Sequence, residues 1–139
     1  MLTMTVTGAD TFTIPMECIE SAKFITDMPK DCDSCSMEVS KTLIVKGNIM
    51  TAADGDPYAS TRQIALWSAV SSAGPGCYRE VALTHVRSGV VVREYNFPDA
   101  FVVGYNEDFD GDAGMGAFTL TIRQKKDQIE HVSVHGGAT

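Results

Sequence analysis

No uninterrupted hydrophobic run in this sequence approaches the roughly 20 residues that a membrane-spanning helix needs, so insertion into a bilayer through helices is not expected. The first residues, Met1-Leu2-Thr3-Met4-Thr5-Val6-Thr7, carry neither a basic segment nor an apolar block and do not read as a signal peptide. Folding is therefore expected in the cytoplasm, with export by another route left open. Basic residues are scarce: 11 Lys and Arg stand against 18 Asp and Glu, for a formal net charge of −7. Neutralising a phosphate backbone takes clustered Lys and Arg, and the only adjacent basic pair, Lys125-Lys126, is followed at once by Asp127 and reads as a turn. Nucleic acid is not an expected partner. Four cysteines (Cys18, Cys32, Cys35, Cys77) are too few for a disulfide scaffold in 139 residues. Three histidines (His85, His131, His135) leave little for metal or acid–base chemistry.

The chain does have ordinary globular proportions, 44% hydrophobic and 21% charged, and period-two alternation along most of its length. Leu2, Met4 and Val6 alternate with Thr3, Thr5 and Thr7; Phe12, Ile14 and Met16 alternate with Thr11 and Thr13. A third extended segment is predicted over Cys18 to Thr26, then an exposed polar loop over Pro29 to Ser36. Leu43, Val45 and Ile49 set the next strand, where Gly47 marks a bulge or a close backbone approach. One helix is predicted, about Ala59 to Ser72. Ser60 or Thr61 would be its N-cap, its apolar stripe would be Ile64, Trp67 and Val70, and Gly74-Pro75-Gly76 would stop it.

Strands follow over Tyr78 to Arg87 and Val90 to Phe97 around the two-residue turn Ser88-Gly89. Pro98-Asp99 is expected to break the chain before Ala100 to Tyr105. An acidic, glycine-rich loop over Asp108 to Gly116 leads to a strand with Phe118, Leu120 and Ile122 on one face, and Ile129 to Val134 forms the last strand. Eight or nine strands with one helix imply an all-β fold, a mainly antiparallel β-barrel or sandwich, in a single domain over 1–139.

The segment from Phe97-Pro98-Asp99-Ala100-Phe101-Val102-Val103-Gly104-Tyr105 through Asp108-Phe109 to Gly116-Ala117-Phe118-Thr119-Leu120-Thr121-Ile122-Arg123-Gln124-Lys125-Lys126-Asp127 resembles a family of small proteins from Gram-positive anaerobes. Ile25-Thr26-Asp27-Met28-Pro29-Lys30-Asp31 and Arg62-Gln63-Ile64-Ala65-Leu66-Trp67-Ser68 fit the same family. Its members resemble tail-tube subunits of contractile injection systems, including the haemolysin-coregulated protein (Hcp) of type VI secretion. The resemblance implies a structural, non-enzymatic subunit that self-assembles into hexameric rings stacking into a tube. The partners it implies are the chain itself, a sheath, a baseplate or spike, and cargo. Some family members are catalogued as "membrane-associated protease", which makes a hydrolase the alternative.

The residues test that alternative. His131 and His135 are four apart, but in a predicted strand that spacing puts them about 13 Å from one another at ~3.3 Å per residue, too far for one metal ion. No H-E-x-x-H and no G-x-S-x-G occurs. Cys32-Asp33-Ser34-Cys35 has two functional readings, half of a zinc site completed by Cys18 or Cys77 and a redox pair, beside the plain one of two exposed cysteines in a loop. Asn106-Glu107-Asp108-Phe109-Asp110-Gly111 matches the opening of a calcium loop, yet its twelfth position is Ala117 instead of the bidentate Glu. No residue is assigned a catalytic, cofactor or metal role. In the tube reading, the Lys41 to Asp56 segment and the Pro29 to Ser36 loop are expected to reach a neighbour. The threonine faces, Thr3 with Thr5 and Thr119 with Thr121, suit a wet lumen or exterior.

Overall fold

Among the described residues every strand ladder is antiparallel, and one strand of 20 residues ties them together. The computed structural model describes residues 1–8, 11–27, 40–50, 56, 59–70, 76–109, 111, 116–124 and 132–136. Within them run β1 (Leu2–Thr7), β2 (Thr11–Ile14), a 3-10 turn (Met16–Cys18), β3 (Ile19–Asp27), β4 (Ser40–Ile49), α1 (Ser60–Ser68), β5 (Arg79–Arg87), β6 (Val90–Phe109), β7 (Gly116–Gln124) and β8 (Ser133–His135). The sheet order is β2-β1-β5-β6-β7-β4-β3, with β8 added to β6.

The alternation works as expected. In β7 every second residue from Gly116 to Gln124 is buried while Ala117 and Arg123 face out. Met4 and Val6 of β1, Val81 and Leu83 of β5, Leu43 and Val45 of β4, and Phe118, Leu120 and Ile122 of β7 form one core with Phe97. At about 1.5–3 kcal/mol for each fully buried large side chain, this face drives the fold. The sheet folds over on itself to enclose it: β1 comes against β3, and Phe24 of β3 stacks on Tyr95 of β6, ring centroids 4.7 Å apart. The Ser88-Gly89 turn forms as predicted, with φ of 53° and 76°; both are left-handed, as a two-residue hairpin of this hand requires.

Four expectations need correction. Pro98-Asp99 does not break the chain: β6 runs through it, because these two residues form a bulge opposite Glu80, between the pairs Val81↔Phe97 and Arg79↔Ala100. Proline lacks only a donor that a bulge leaves unused. The Asp99 N–H is taken by Gln124 Oε1 at 3.2 Å, while Gln124 Nε2 is buried with no partner among the described residues. Secondly, Met16 leaves the alternation of Phe12 and Ile14, since Pro15 ends β2 and a 3-10 turn carries Met16 out to solvent. Thirdly, the helix spans Ser60–Ser68 with Ala59 at the N-cap position, and the side chain that takes up its first N–H groups is that of Asp56. Ala59 turns left-handed at φ 50°, and the buried Asp56 carboxylate accepts from Ser60 N and Oγ at 2.9 and 2.8 Å and from Thr61 N and Oγ1 at 3.3 and 3.4 Å. Fourthly, of the expected last strand only Ser133 and Val134 are seen in β8; residues 125–131 lie outside the described residues.

The helix lies over β2 and β6, burying Ile64 and Trp67, whose Nε1–H donates to the Cys77 carbonyl at 2.9 Å. The Trp67 stripe is core. Gly47 makes the close approach its sequence position suggested: a Cβ there would stand 1.8 Å from the Cys18 carbonyl oxygen and 2.8 Å from the Phe118 ring. The bulge nearby belongs to Glu20 of the partner strand. The Cys18 thiol is buried, and burial first, then the negative charges of Asp56 and Glu17, push its pKa up to about 11.

Gly47→Ala is expected to lower stability by about 3 kcal/mol or more, read as a fall in the urea midpoint. Gly104→Ala, where an added Cβ meets nothing within 4 Å, should change it by less than ~0.5 kcal/mol. Because the unfolded Cys18 thiol ionises near 9.0 and the folded one near 11, the unfolded state sheds its proton first. Stability from this group is intact below pH 9 and declines between pH 9 and 11. Cys18→Ala should show a shallower loss over that window in urea titrations at stepped pH.

Candidate assembly interface

Among the described residues, those singled out for chemistry are not brought together. His85 sits on β5 directly across from Arg93 of β6, and His135 on β8 across from Glu94. Among the described residues no group of three or more His, Cys, Asp or Glu is arranged to hold a metal ion. Cys18 and Cys77 are buried free thiols, and the raised pKa of Cys18 is the opposite of the lowered value that activates a nucleophilic thiol. Cys32 and Cys35, His131, Lys125-Lys126 and the Pro29 to Ser36 loop lie outside the described residues. The start of the calcium-like motif is strand: Asn106, Glu107 and Asp108 pair with Thr119, Phe118 and Ala117, so the backbone there is extended, with Asn106 and Asp108 about 7 Å apart along one face, and is not wrapped around an ion. The strand therefore extends four residues past the expected end at Tyr105.

Edges and ends are what the fold does present. Among the described residues β2 pairs only with β1, β3 only with β4, β8 only with β6, and residues 101–109 of β6 only with β7. Unpaired edges of this length are templates for another chain. β3 carries a bulge at Glu20 and β6 a second one at Val103, devices that limit indiscriminate pairing. Of the Lys41 to Asp56 segment, the part in β4 is paired with both β3 and β7 and Asp56 is buried at the start of the helix, while residues 51–55 lie outside the described residues.

The outward face over β1, β2 and β5 is small and polar, as the threonine pattern implied. Thr3 pairs with Thr84, Thr5 with Ala82 and Thr13, and Thr7 with Glu80 and Thr11. Thr5 and Thr13 hydroxyls lie 3.2 Å apart. The outward face over β3 and β4 is basic, with an open groove of about 420 Å³ lined by Ser21, Ala22, Lys23, Ile44 and Lys46.

The two ends differ. At the Ser88-Gly89 end Met1, Val90 and Val91 are exposed, and a small cavity opens between the two halves of the sheet. At the opposite end of β6, Phe109 is 67% exposed beside Asp108. Glu107 accepts the Tyr105 hydroxyl at 2.6 Å; burial, and then this carboxylate, hold the phenol well above its usual pKa range. No sequence rule singles out these end features, because an exposed aromatic and a cavity mouth are defined by what the fold leaves uncovered.

No protein-family model matches the sequence, and no curated protein matches it. Among solved structures the fold is similar to Hcp1 from Flavobacterium johnsoniae, with a TM-score of 0.56 and 15% identity over 96% of this chain and 95% of that one. It is also similar to a chain of the anti-feeding prophage baseplate, with a TM-score of 0.53 and 12% identity over 97% and 92%. A chain of the sheath–tube complex of an extracellular contractile injection system (PVC) in its extended state gives a TM-score of 0.53 and 10% identity over 96% and 88%. At such identities the likeness is one of fold: this chain has the one-helix, antiparallel β architecture of Hcp1 and of chains in contractile injection assemblies, along nearly its whole length.

Proposed function

We propose that this chain is a structural, non-enzymatic subunit of a contractile injection system or phage-tail-like particle, assembling into rings, six copies each, that stack into a tube. The observation that carries this reading is the end-to-end likeness of fold to Hcp1 and to chains of the anti-feeding prophage baseplate and the PVC sheath–tube complex. Fold alone does not assign function, and features of this chain add support. Several long strand edges are left without partners among the described residues, and closure of a ring by shared edges satisfies them. One outward face carries small hydroxyls and carboxylates, suited to water on the inside or outside of a tube. The polar chemistry that is buried, Asp56 on the helix and Trp67 on Cys77, is engaged in holding the fold.

In this reading residues 1–139 act as one barrel unit, assembled in the cytoplasm and carried out with the particle. Its partners are its own copies, a sheath, and a baseplate or spike, with cargo in the lumen. Light scattering on the purified protein, with negative-stain imaging of the same fraction, is the test. Six copies of a 15.0 kDa chain give a ring of about 90 kDa, and rings or stacked tubes in the images are the expected result. A strict monomer at millimolar concentration would overturn the proposal.

A further inference from the structure

β6 begins and ends in surfaces that complement one another. Near its start, between the two halves of the sheet, lies a cavity of about 110 Å³ walled by Leu2, Phe24, Leu43, Leu83 and Tyr95, with His85 and Arg93 on its polar side. His85 and Arg93 face each other across the β5–β6 ladder, closer to the Ser88-Gly89 turn than the pair Leu83↔Tyr95. Arg93 is exposed and carries a fixed positive charge. An apolar space of this kind is on the scale of one aromatic ring, since a closed cavity of roughly 150 Å³ accepts benzene. At the other end of the strand Phe109 projects with most of its ring in solvent, its inner edge resting over Gly116. The carboxylates of Asp108 and Glu107 precede it.

Phe109 does not reach the cavity of its own chain. Sixteen positions separate it from Arg93 on one strand, about 50 Å of contour at ~3.3 Å per residue, and ladders to β5, β7 and β8 hold that strand along its length. Building on the tube reading above, we propose that Phe109 of one copy seats in the cavity of the next copy, with the carboxylate of Asp108 set against Arg93. An aromatic anchor in an apolar pocket, ringed by opposite charges, is the usual anatomy of an interaction hot spot. The contact is head-to-tail, and such contacts propagate along a stack wherever the rotation from copy to copy does not close a ring. The groove at Lys23 and Lys46 is also basic, but it is open and floored by one isoleucine and lysine stems, with no enclosed place for a ring.

The full-length wild type, Phe109→Ala, Arg93→Glu, Asp108→Arg and the double variant R93E/D108R are compared by sedimentation velocity and negative-stain imaging over a range of concentrations. All five are expected to form rings. The concentration at which rings stack should rise about tenfold or more in each single variant and return to within about threefold of wild type in the double variant. Far-UV melting checks the fold, and any variant that melts markedly lower is replaced by Phe109→Leu or Arg93→Gln with the same expectation for stacking. Phe109→Ala stacking at the wild-type concentration would overturn the contact, as would a double variant no better than its parents. Loss of the rings themselves in Phe109→Ala would put the arm within a ring and overturn it equally. If wild type stacks and the variants do not differ from it, only this contact fails. If wild type forms neither rings nor stacks, the tube reading fails with it.

Discussion

The fold depends on a single strand serving two halves of a sheet. Along β6 the ladder to β5 ends, and the ladder to β7 begins, at Ala100, which pairs with both Arg79 and Gln124. β5 takes one edge of the strand up to Ala100 and β7 the other edge from there on, and the Pro98–Asp99 bulge, which bends the strand that carries it, sits at that changeover. Phe97 and Ala100 on either side are fully buried, which places the fold line inside the core. The buried Gln124 side chain takes up the Asp99 N–H at the bulge through its Oε1. The closure of β1 toward β3 and the stacking of Phe24 on Tyr95 follow from that bend.

A second set of contacts seats the helix and the 3-10 turn on this framework. Asp56 accepts four hydrogen bonds from Ser60 and Thr61, so its buried charge is matched by donors at the positive end of the helix. Trp67 is locked by its bond to the Cys77 carbonyl, and the Arg79 guanidinium lies 5.5 Å from its ring centroid. Gly47 lets the turn at Cys18 press against β4. Buried polarity and close approach at these positions thus maintain shape. For an assembling subunit, rigidity of this kind keeps edges and ends in register with those of a neighbour.

The surfaces left over are then the informative ones. Edge strands, a polar threonine face, a basic groove and two unlike ends are features that act through a partner of matching shape. The fold places the cavity and Phe109 at opposite ends of β6, which makes the molecule directional. Directionality is what separates a subunit that forms an open stack from one that closes into a symmetric pair.

Much of the architecture was legible in the chain itself. Period-two alternation in Leu2–Val6, Val81–Leu83 and Phe118–Ile122 announced which faces are buried, because adjacent side chains on a strand must point to opposite sides. Ser88-Gly89 announced its turn through the two left-handed positions it tolerates, and Gly47 its close contact. Ile64 and Trp67 marked the buried stripe of the helix by their spacing. Other features depend on partners distant in sequence. Pro98 reads as a breaker until β5 and β7 are seen to meet β6 there, and Asp56 reads as a loop residue until Ala59 turns left-handed above it. Asn106–Asp108 resemble an ion loop until β7 pairs with them. The cavity draws its walls from β1, β3, β4, β5 and β6, so no local pattern encodes it. Local stereochemistry determined the strands, their faces and the tight turn; only the folding of the sheet over the bend in β6 decided which residues meet, because those distances are set by the whole curled sheet and by no segment of it.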